Sequence, residues 1–468
     1  GFDAALGEHL ASLRNGPRYR TLSATAQSRL DALVPRLVDA AAAAPDCDRA
    51  LAALVGLVEA IGGRVSYLAL LQENPQALRH VAGLVTASSW LAQYLNQHPL
   101  LLDELLDPRS LDAPADWPAL FTALARELDA IGEDTEAAMD ALRHFRHAQT
   151  FRLVARGLSG RLPLEQLADE LSALADGVLQ MVIDRVWLGL RGRHRDRPRI
   201  CVIGYGKLGG KELSFASDLD LVWVHDDDHA DAGEVYSRLV QRCNGWLNRT
   251  TAAGVLYDTD LRLRPDGDAG LLVCSVAHWR SYLETSAWTW ELQALTRARA
   301  AAGECDIAAQ VETIRREVLA TWRDADATRR DIVDMRRRML DAHRAKPGVF
   351  NLKQDRGGII DTEFVVQYWV LTYGHRHAEL LDNLGTLALL SRAATLGLVD
   401  AGLAERCQNA YRRFRQRQHL LRLNAQGSSD VPEAGWEEDR ATILGLWEVV
   451  MGPLPEAVPA LHGRMPPA

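Results

Sequence analysis

The chain has 468 residues, 47% of them hydrophobic and 25% charged, with 53 basic against 62 acidic residues and a net charge of −9. That length exceeds what one hydrophobic core supports, so two or three domains are expected, and the composition excludes a chain disordered throughout. The acidic balance leaves no chain-wide basic surface, so nucleic acid is not an expected partner. Splitting the basic count is more informative. Only four lysines occur (Lys207, Lys211, Lys346 and Lys353), beside 49 arginines. A coding bias toward arginine accounts for the general replacement, and the positions where lysine persists mark places to inspect.

Six cysteines are dispersed with no Cys-x-x-Cys pair, which reads as reduced cytosolic thiols, neither a disulfide framework nor a zinc site. No long uncharged apolar run appears, and the N-terminus lacks a basic-then-apolar signal. No membrane partner and a cytoplasmic location are therefore expected. The chain opens on Gly1-Phe2 without Met, which reads as a piece of something longer.

Residues 1 to about 190 read as helix upon helix. Leu51, Leu54, Val55, Val58 and Ile61 form one amphipathic stripe; Ala138, Leu142, Phe145, Ala148 and Phe151 form another between Glu136 and Arg156. Gly62-Gly63, His98-Pro99, Asp107-Pro108 and Arg161-Leu162-Pro163 punctuate the series, and Pro35 is expected to kink a helical run. Near residue 197 the texture changes. Arg199–Gly204, Asp218–His225, Gly254–Arg264 and Leu271–Cys274 read as strands, with a helix from Gly233 to about Thr251. Helical periodicity returns from Val276 to about Val450, before a tail with Pro453, Pro455, Pro459, Pro466 and Pro467. The expected fold class is α+β, predominantly helical, with a small mixed sheet between helical regions. The expected domains are 1–190, 191–310 and 311–468.

Three features carry chemistry. In Asp218-Leu219-Asp220 the two carboxylates project from one face of a strand, where they repel unless a divalent cation neutralises them. Gly204-Tyr-Gly-Lys-Leu-Gly-Gly210 satisfies G-x-G-x-x-G. The next strand follows too soon for a dinucleotide-binding crossover helix, so a phosphate cradle beside Lys207 and Lys211 is favoured over nicotinamide binding. In Tyr257–Pro265, Asp258, Asp260, Arg262 and Arg264 are expected to share one strand face, suited to both a metal and an anion. Three carboxylates on neighbouring strands with a Gly-Gly turn match the needs of two-metal phosphoryl or nucleotidyl transfer.

Other segments read blandly. Asp266–Gly270 is a tight turn, His225–His229 an acidic loop after a strand, and His144 and His147 unliganded helix histidines. Arg412–Arg417 reads as a solvated helix face.

Gly204–Glu212 followed by Ser217–Leu221 resembles the glutamine synthetase adenylyltransferase branch of the polymerase-β-like nucleotidyltransferases. So do Asp260–Gly267, Trp288–Ala294 with Arg297 and Arg299, Leu352–Phe364, and Pro99–Pro108 in the helical region. In that family the full-length enzyme carries one domain that removes AMP and one that adds it. The single motif set here, with Tyr-Gly-Lys-Leu-Gly-Gly, Ser-Asp-Leu-Asp-Leu and Trp-Thr-Trp-Glu, resembles the adding half. The removing half typically shows a Met before the second Gly, Ser-Asp-Ile-Asp and Asp-Trp-Glu-Arg.

The resemblance implies that Asp218, Asp220 and Asp260 hold two Mg²⁺ ions and the triphosphate of ATP, the substrate. It implies that Asp260 assists deprotonation of a glutamine synthetase tyrosine. Gly209, Gly210 and Ser217 would contact phosphates, and Lys207, Arg262, Arg264, Glu291 and Lys353 are further nucleotide-binding candidates. Asp258 departs from the family's residue types and has no role assigned. Asp361 and Glu363 sit at a spacing that splays them apart on a helix and are left outside the metal site. Glutamine synthetase and a PII-type signalling protein are the implied partners. The alternatives are the AMP-removing domain, a helical regulatory adaptor and, more distantly, a nicotinamide-dependent oxidoreductase.

Overall fold

The stripe Leu51, Leu54, Val55, Val58 and Ile61 becomes the buried face of the helix Cys47–Ile61. Side-chain caps explain where its neighbours begin: Ser23, Asp46, Asn74 and Ser88 each accept a backbone N–H from the first turn, and Pro75 occupies a first-turn position that needs no N–H partner. The helix Ala24–Ala42 runs on through Pro35. The computed structural model describes residues 5–44, 46–105, 113–343, 346–382 and 385–454. The Asp107-Pro108 turn, the end of the Pro99–Pro108 stretch from Leu106, and Pro455, Pro459, Pro466 and Pro467 of the tail lie outside the described residues. No described helix is long and apolar enough to cross a membrane.

The chain divides into two compact units. One comprises Gly1–Asp116, His144–Leu167 and Leu420–Gly427. Its described residues are helical, and the short 420–427 segment is tied in where Ser88 Oγ donates to the Leu423 carbonyl at 2.7 Å and Arg49 to Asn424 Oδ1 at 2.7 Å. The two helix histidines differ in burial. His147 is buried, shares a hydrogen bond with the Tyr94 hydroxyl and stacks on His98 at 4.0 Å, whereas His144 is exposed.

The second unit comprises Trp117–Arg143, Ala168–His419 and Ser428–Ala468 and contains the sheet. Its strands are β1 (Ile200–Gly204), β2 (Leu219–His225), β3 (Thr259–Asp260), β4 (Val273–Ser275) and β5 (Arg299–Gly303). The order is β3-β2-β1-β5, with β4 also on β2. β1 pairs antiparallel with β2 and with β5, while β3 and β4 pair parallel with β2, so the sheet is mixed. An antiparallel β1–β2 pair joined by the one-turn helix Gly206–Gly209 has no room for a dinucleotide-binding crossover. A separate ribbon pairs β6 (Val349–Asn351) with β7 (Asp430–Pro432).

Two strand expectations need correction. The segment Gly254–Arg264 is not one strand: only Thr259–Asp260 pair within the sheet, Gly254 makes an isolated bridge to Thr251, and Arg262 and Arg264 lie in turns beyond. The cause is local. Asp260 Oδ1 accepts the Arg262 N–H at 2.8 Å, an Asx turn that takes the backbone out of the ladder. Conversely, β5 falls in a stretch that reads as helix. Ala300, Ala301 and Ala302 favour helix intrinsically, but pairing with β1 overrides that preference.

Buried Arg143 fixes the connection that leads into β3. Its guanidinium donates to the carbonyls of Trp246 at 2.9 Å, Arg249 at 2.5 Å and Gly254 at 2.7 Å. It thereby serves the C-terminus of the helix Ala232–Asn248 and the turn after it.

Candidate active site

The parallel register sets Asp220 of β2 directly beside Asp260 of β3, and Asp218 stands one residue before β2. Leu219 and Leu221 are buried on the opposite face, so packing fixes which way the carboxylates point. Burial, and then repulsion from Asp218 and Asp260, pushes the Asp220 carboxyl up to about 6, against the opposing charges of Lys207 and Lys353. Two of the four lysines thus act on one carboxylate.

The Gly-rich turn closes over that carboxylate. Gly206 has φ +54°, and a Cβ there would lie 2.1 Å from Asp220 Oδ2. The Tyr205 N–H donates to the Asp220 carbonyl at 2.9 Å, locking turn to strand. Gly206→Ala is expected to cost about 1–2 kcal/mol in backbone strain alone and to displace Asp220. Its thermal midpoint should fall; an unchanged variant would show that the close approach is not required.

Lys207 Nζ lies 3.4 Å from Ser217 Oγ, and Ser217, buried beside Asp218, also accepts the Ser214 N–H at 3.2 Å. The Gly209 and Gly210 N–H groups close the turn onto Tyr205 and Gly206 at 2.9 and 3.1 Å. Both glycines make room for Arg297: a Cβ on Gly209 would lie 1.8 Å from the Arg297 carbonyl, and one on Gly210 would lie 2.6 Å from its guanidinium. Arg299 donates to the Leu208 carbonyl at 3.2 Å and is held by Asp176 at 2.7 Å.

Asp260 is clasped by Arg262, whose Nε and Nη2 lie 2.9 and 2.5 Å from Oδ2. Burial alone would raise its carboxyl, but the Arg262 hydrogen bonds outweigh that and hold it below the usual range. Carboxylates packed together, one of them at raised proton affinity, fit a hard divalent cation in donor chemistry. In the arrangement seen, no group of three His, Cys, Asp or Glu side chains among the described residues is disposed to hold an ion. Asp260 is held by Arg262 instead.

The remaining candidates lie as follows. Lys353 is exposed, with its charge felt at Asp220. Buried Arg264 donates to the Leu261 carbonyl at 2.7 Å and pairs with Asp268 at 3.4 Å. Buried Glu291 accepts the Trp288 N–H at 2.9 Å and the Tyr282 hydroxyl at 2.8 Å, capping the helix Thr289–Leu295. Asp258 is exposed, with its carbonyl accepting the Leu219 N–H at 2.9 Å. Asp266 adopts φ +62° at the start of a short 3₁₀ turn, as its loop composition suggests.

Several charged groups do more than their sequence context signals. Asp361 and Glu363 diverge from the helix Ile359–Tyr373: Asp361 pairs with Arg336 at 2.5 Å and Glu363 with Arg297 at 2.8 Å. The loop after β2 tucks the Asp227 side chain under Arg195 and His194 at 2.8 Å each and the Tyr236 hydroxyl at 2.8 Å. The Arg412–Arg417 run is not a uniformly solvated face. Arg415 turns inward, donating to the Glu212 carbonyl at 2.8 Å, while Arg413 pairs with Asp439 at 2.9 Å.

Fold and site together define a predominantly helical α+β protein whose small mixed sheet gathers carboxylates against a glycine-rich turn. The chain belongs to the glutamate-ammonia ligase adenylyltransferase family, whose profile matches residues 78–314. Residues 328–435 match the profile of the GlnD PII-uridylyltransferase. The chain is 53% identical over 91% of its length to the bifunctional glutamine synthetase adenylyltransferase/adenylyl-removing enzyme of Aromatoleum aromaticum, covering 45% of that protein. The proteins of the same description from Chromobacterium violaceum and Neisseria meningitidis serogroup B are 50% and 48% identical, each over 92% of this chain and 48% of their own. The chain therefore spans about half the length of these relatives.

Proposed function

We propose that this chain transfers AMP from ATP to a tyrosine hydroxyl of glutamine synthetase, on a polymerase-β-like nucleotidyltransferase region within residues 191–310. The observation that carries the reading is the meeting of Asp218, Asp220 and Asp260 beside a turn that brings Lys207 to Asp220. Family membership and the names of the relatives support the substrates. The wording of the motifs supports the adding direction over the removing one. The PII-uridylyltransferase profile over 328–435 supports a PII-type signalling partner, and a cytoplasmic setting fits both partners.

Bound Mg²⁺ would supply charge neutralisation on the triphosphate, held by Asp218, Asp220 and Asp260. The chain's residues do the rest. Lys207, Ser217 and the Gly206–Gly210 turn bind and orient the phosphates, with Lys353 adding positive charge from the facing segment. The tyrosine oxygen bonds to the α-phosphorus, the bond from that phosphorus to the bridging oxygen breaks, and pyrophosphate leaves. Asp260 takes the phenolic proton, whose ordinary pKa is ~10. Turning off Arg262 raises its proton affinity for that step.

The test is incubation of the chain with glutamine synthetase, Mg²⁺ and ATP labelled at the α-phosphorus. Label on a tyrosine with release of pyrophosphate is expected. Failure to label, with phosphate-dependent release of ADP from adenylylated glutamine synthetase, would assign the chain to the reverse reaction.

A further inference from the structure

Arg297 lies between the helix Thr289–Leu295 and β5, away from the carboxylates, yet it touches the glycine-rich turn twice. Its carbonyl lies against Gly209 and its guanidinium against Gly210. A long side chain usually swings away from such a neighbour at little cost. This one is hydrogen-bonded to Glu363 at 2.8 Å and ion-paired with Glu212 at 2.9 Å, and is only 12% exposed.

Those carboxylates extend the attachment. Glu212, two residues past Gly210, accepts the Thr386 N–H at 3.1 Å and the Tyr411 hydroxyl at 3.0 Å, and faces Arg415 at 3.7 Å. The Tyr411 hydroxyl also reaches Glu363 at 3.1 Å. Burial works against an ionised Glu212, but the guanidiniums of Arg297 and Arg415 hold it well below the usual carboxylate range. Burial and the two carboxylates push the Tyr411 phenol up, so it remains a donor. Two guanidiniums, two carboxylates and one neutral phenol balance to zero charge. The ring also joins the stretch matching the adenylyltransferase profile (Glu212, Arg297) to the one matching the uridylyltransferase profile (Glu363, Tyr411, Arg415). A buried ion network is weak evidence for stability, and its better attested use is to fix register.

We propose that Arg297 is a positioning residue for nucleotide binding: anchored by Glu212 and Glu363, it is the template on which the Gly206–Gly210 turn is set against Asp220. The inference rests on the proposed AMP transfer for its substrate, ATP. It assigns no contact between Arg297 and the nucleotide.

A double-mutant cycle on the full chain tests it, reading KM and kcat for ATP in AMP transfer, Kd for a non-hydrolysable ATP analogue, and the thermal midpoint. Arg297→Lys keeps the charge but has a single terminal nitrogen in place of the guanidinium fork, so it cannot hold Glu212 and Glu363 together and its chain is released from its fixed position against Gly210. It should raise KM and Kd about tenfold with kcat changed less than about threefold. Gly210→Ala should weaken binding about tenfold in the parent and less than about twofold in the Arg297→Lys background, because a side chain no longer held at both carboxylates can give way to the new methyl group. Glu363→Gln, which keeps the shape and one anchor, should give a smaller rise in Kd, and it stands in if Arg297→Lys does not fold.

A fall in midpoint with Kd unchanged, or additive effects at 210 and 297, overturns the proposal and leaves a merely structural network. AMP transfer by the parent chain reads the function separately. A parent that binds the analogue without transferring AMP sinks the function while the cycle still decides the role of Arg297. A parent that does not bind the analogue overturns both.

Discussion

Asp220→Asn is expected to reduce the proposed AMP transfer by about three orders of magnitude, the several kcal/mol that a bound metal would supply, and yet to stabilise the ion-free protein at neutral pH. The carboxyl of Asp220 is raised to about 6 in the fold, against an ordinary value of ~3.9 for the unfolded chain. The folded state therefore binds the proton more tightly. Native stability falls as the pH rises through that window, and above it the ionised group destabilises the fold by up to about 3 kcal/mol. Asparagine carries no such penalty. The difference between variant and parent should be largest near pH 7 in a chelator and should vanish below about pH 4. Taking the difference isolates Asp220, because the lowered Asp260 carboxyl contributes with the opposite sign. Denaturant titrations at the two pH values check it; an Asn variant less stable than the parent at pH 7 would contradict the assigned environment.

Asp361→Ala is expected to be the more damaging change to the fold. Arg336 and Asp361 are buried together at 2.5 Å, and Asp361 also accepts the Gly357 N–H at 2.7 Å and faces Arg356 at 3.3 Å. Removing one partner leaves a buried guanidinium uncompensated, at a cost of about 3–5 kcal/mol. Replacing both Arg336 and Asp361 with Leu should cost less than the single change, since neither charge is then stranded. Urea unfolding of the three proteins measures this. A single variant as stable as the parent would contradict it.

These two aspartates show what the sequence makes legible. Asp218 and Asp220 announce themselves because alternation with buried leucines places both carboxylates on one face, a property of spacing alone. The one-turn connection after β1 is equally visible in the short interval before β2. Alternation over 254–264 also places Asp260 on a strand near Asp220, but β3 is only two residues long and its register with β2 is not written in the periodicity. Beyond β3 the alternation misleads, because the Asx turn at Asp260 carries Arg262 out of the strand and onto the carboxylate. β5 was missed because alanines carry helix propensity and reveal nothing about pairing partners. The ring around Arg297 was invisible for another reason: Glu212, Glu363, Tyr411 and Arg415 are distant in sequence and each looks like an ordinary helix or loop charge. Two of the four lysines mark the site, since the charges of Lys207 and Lys353 both bear on Asp220.

The most direct measurement of the central claim is a crystal structure of the chain with Mg²⁺ and a non-hydrolysable ATP analogue. The expected result is ions held by Asp218, Asp220 and Asp260, with Asp260 turned off Arg262 and Lys207 on the phosphates. Ions bound away from these carboxylates, or a nucleotide seated with Asp260 still clasped by Arg262, would contradict it.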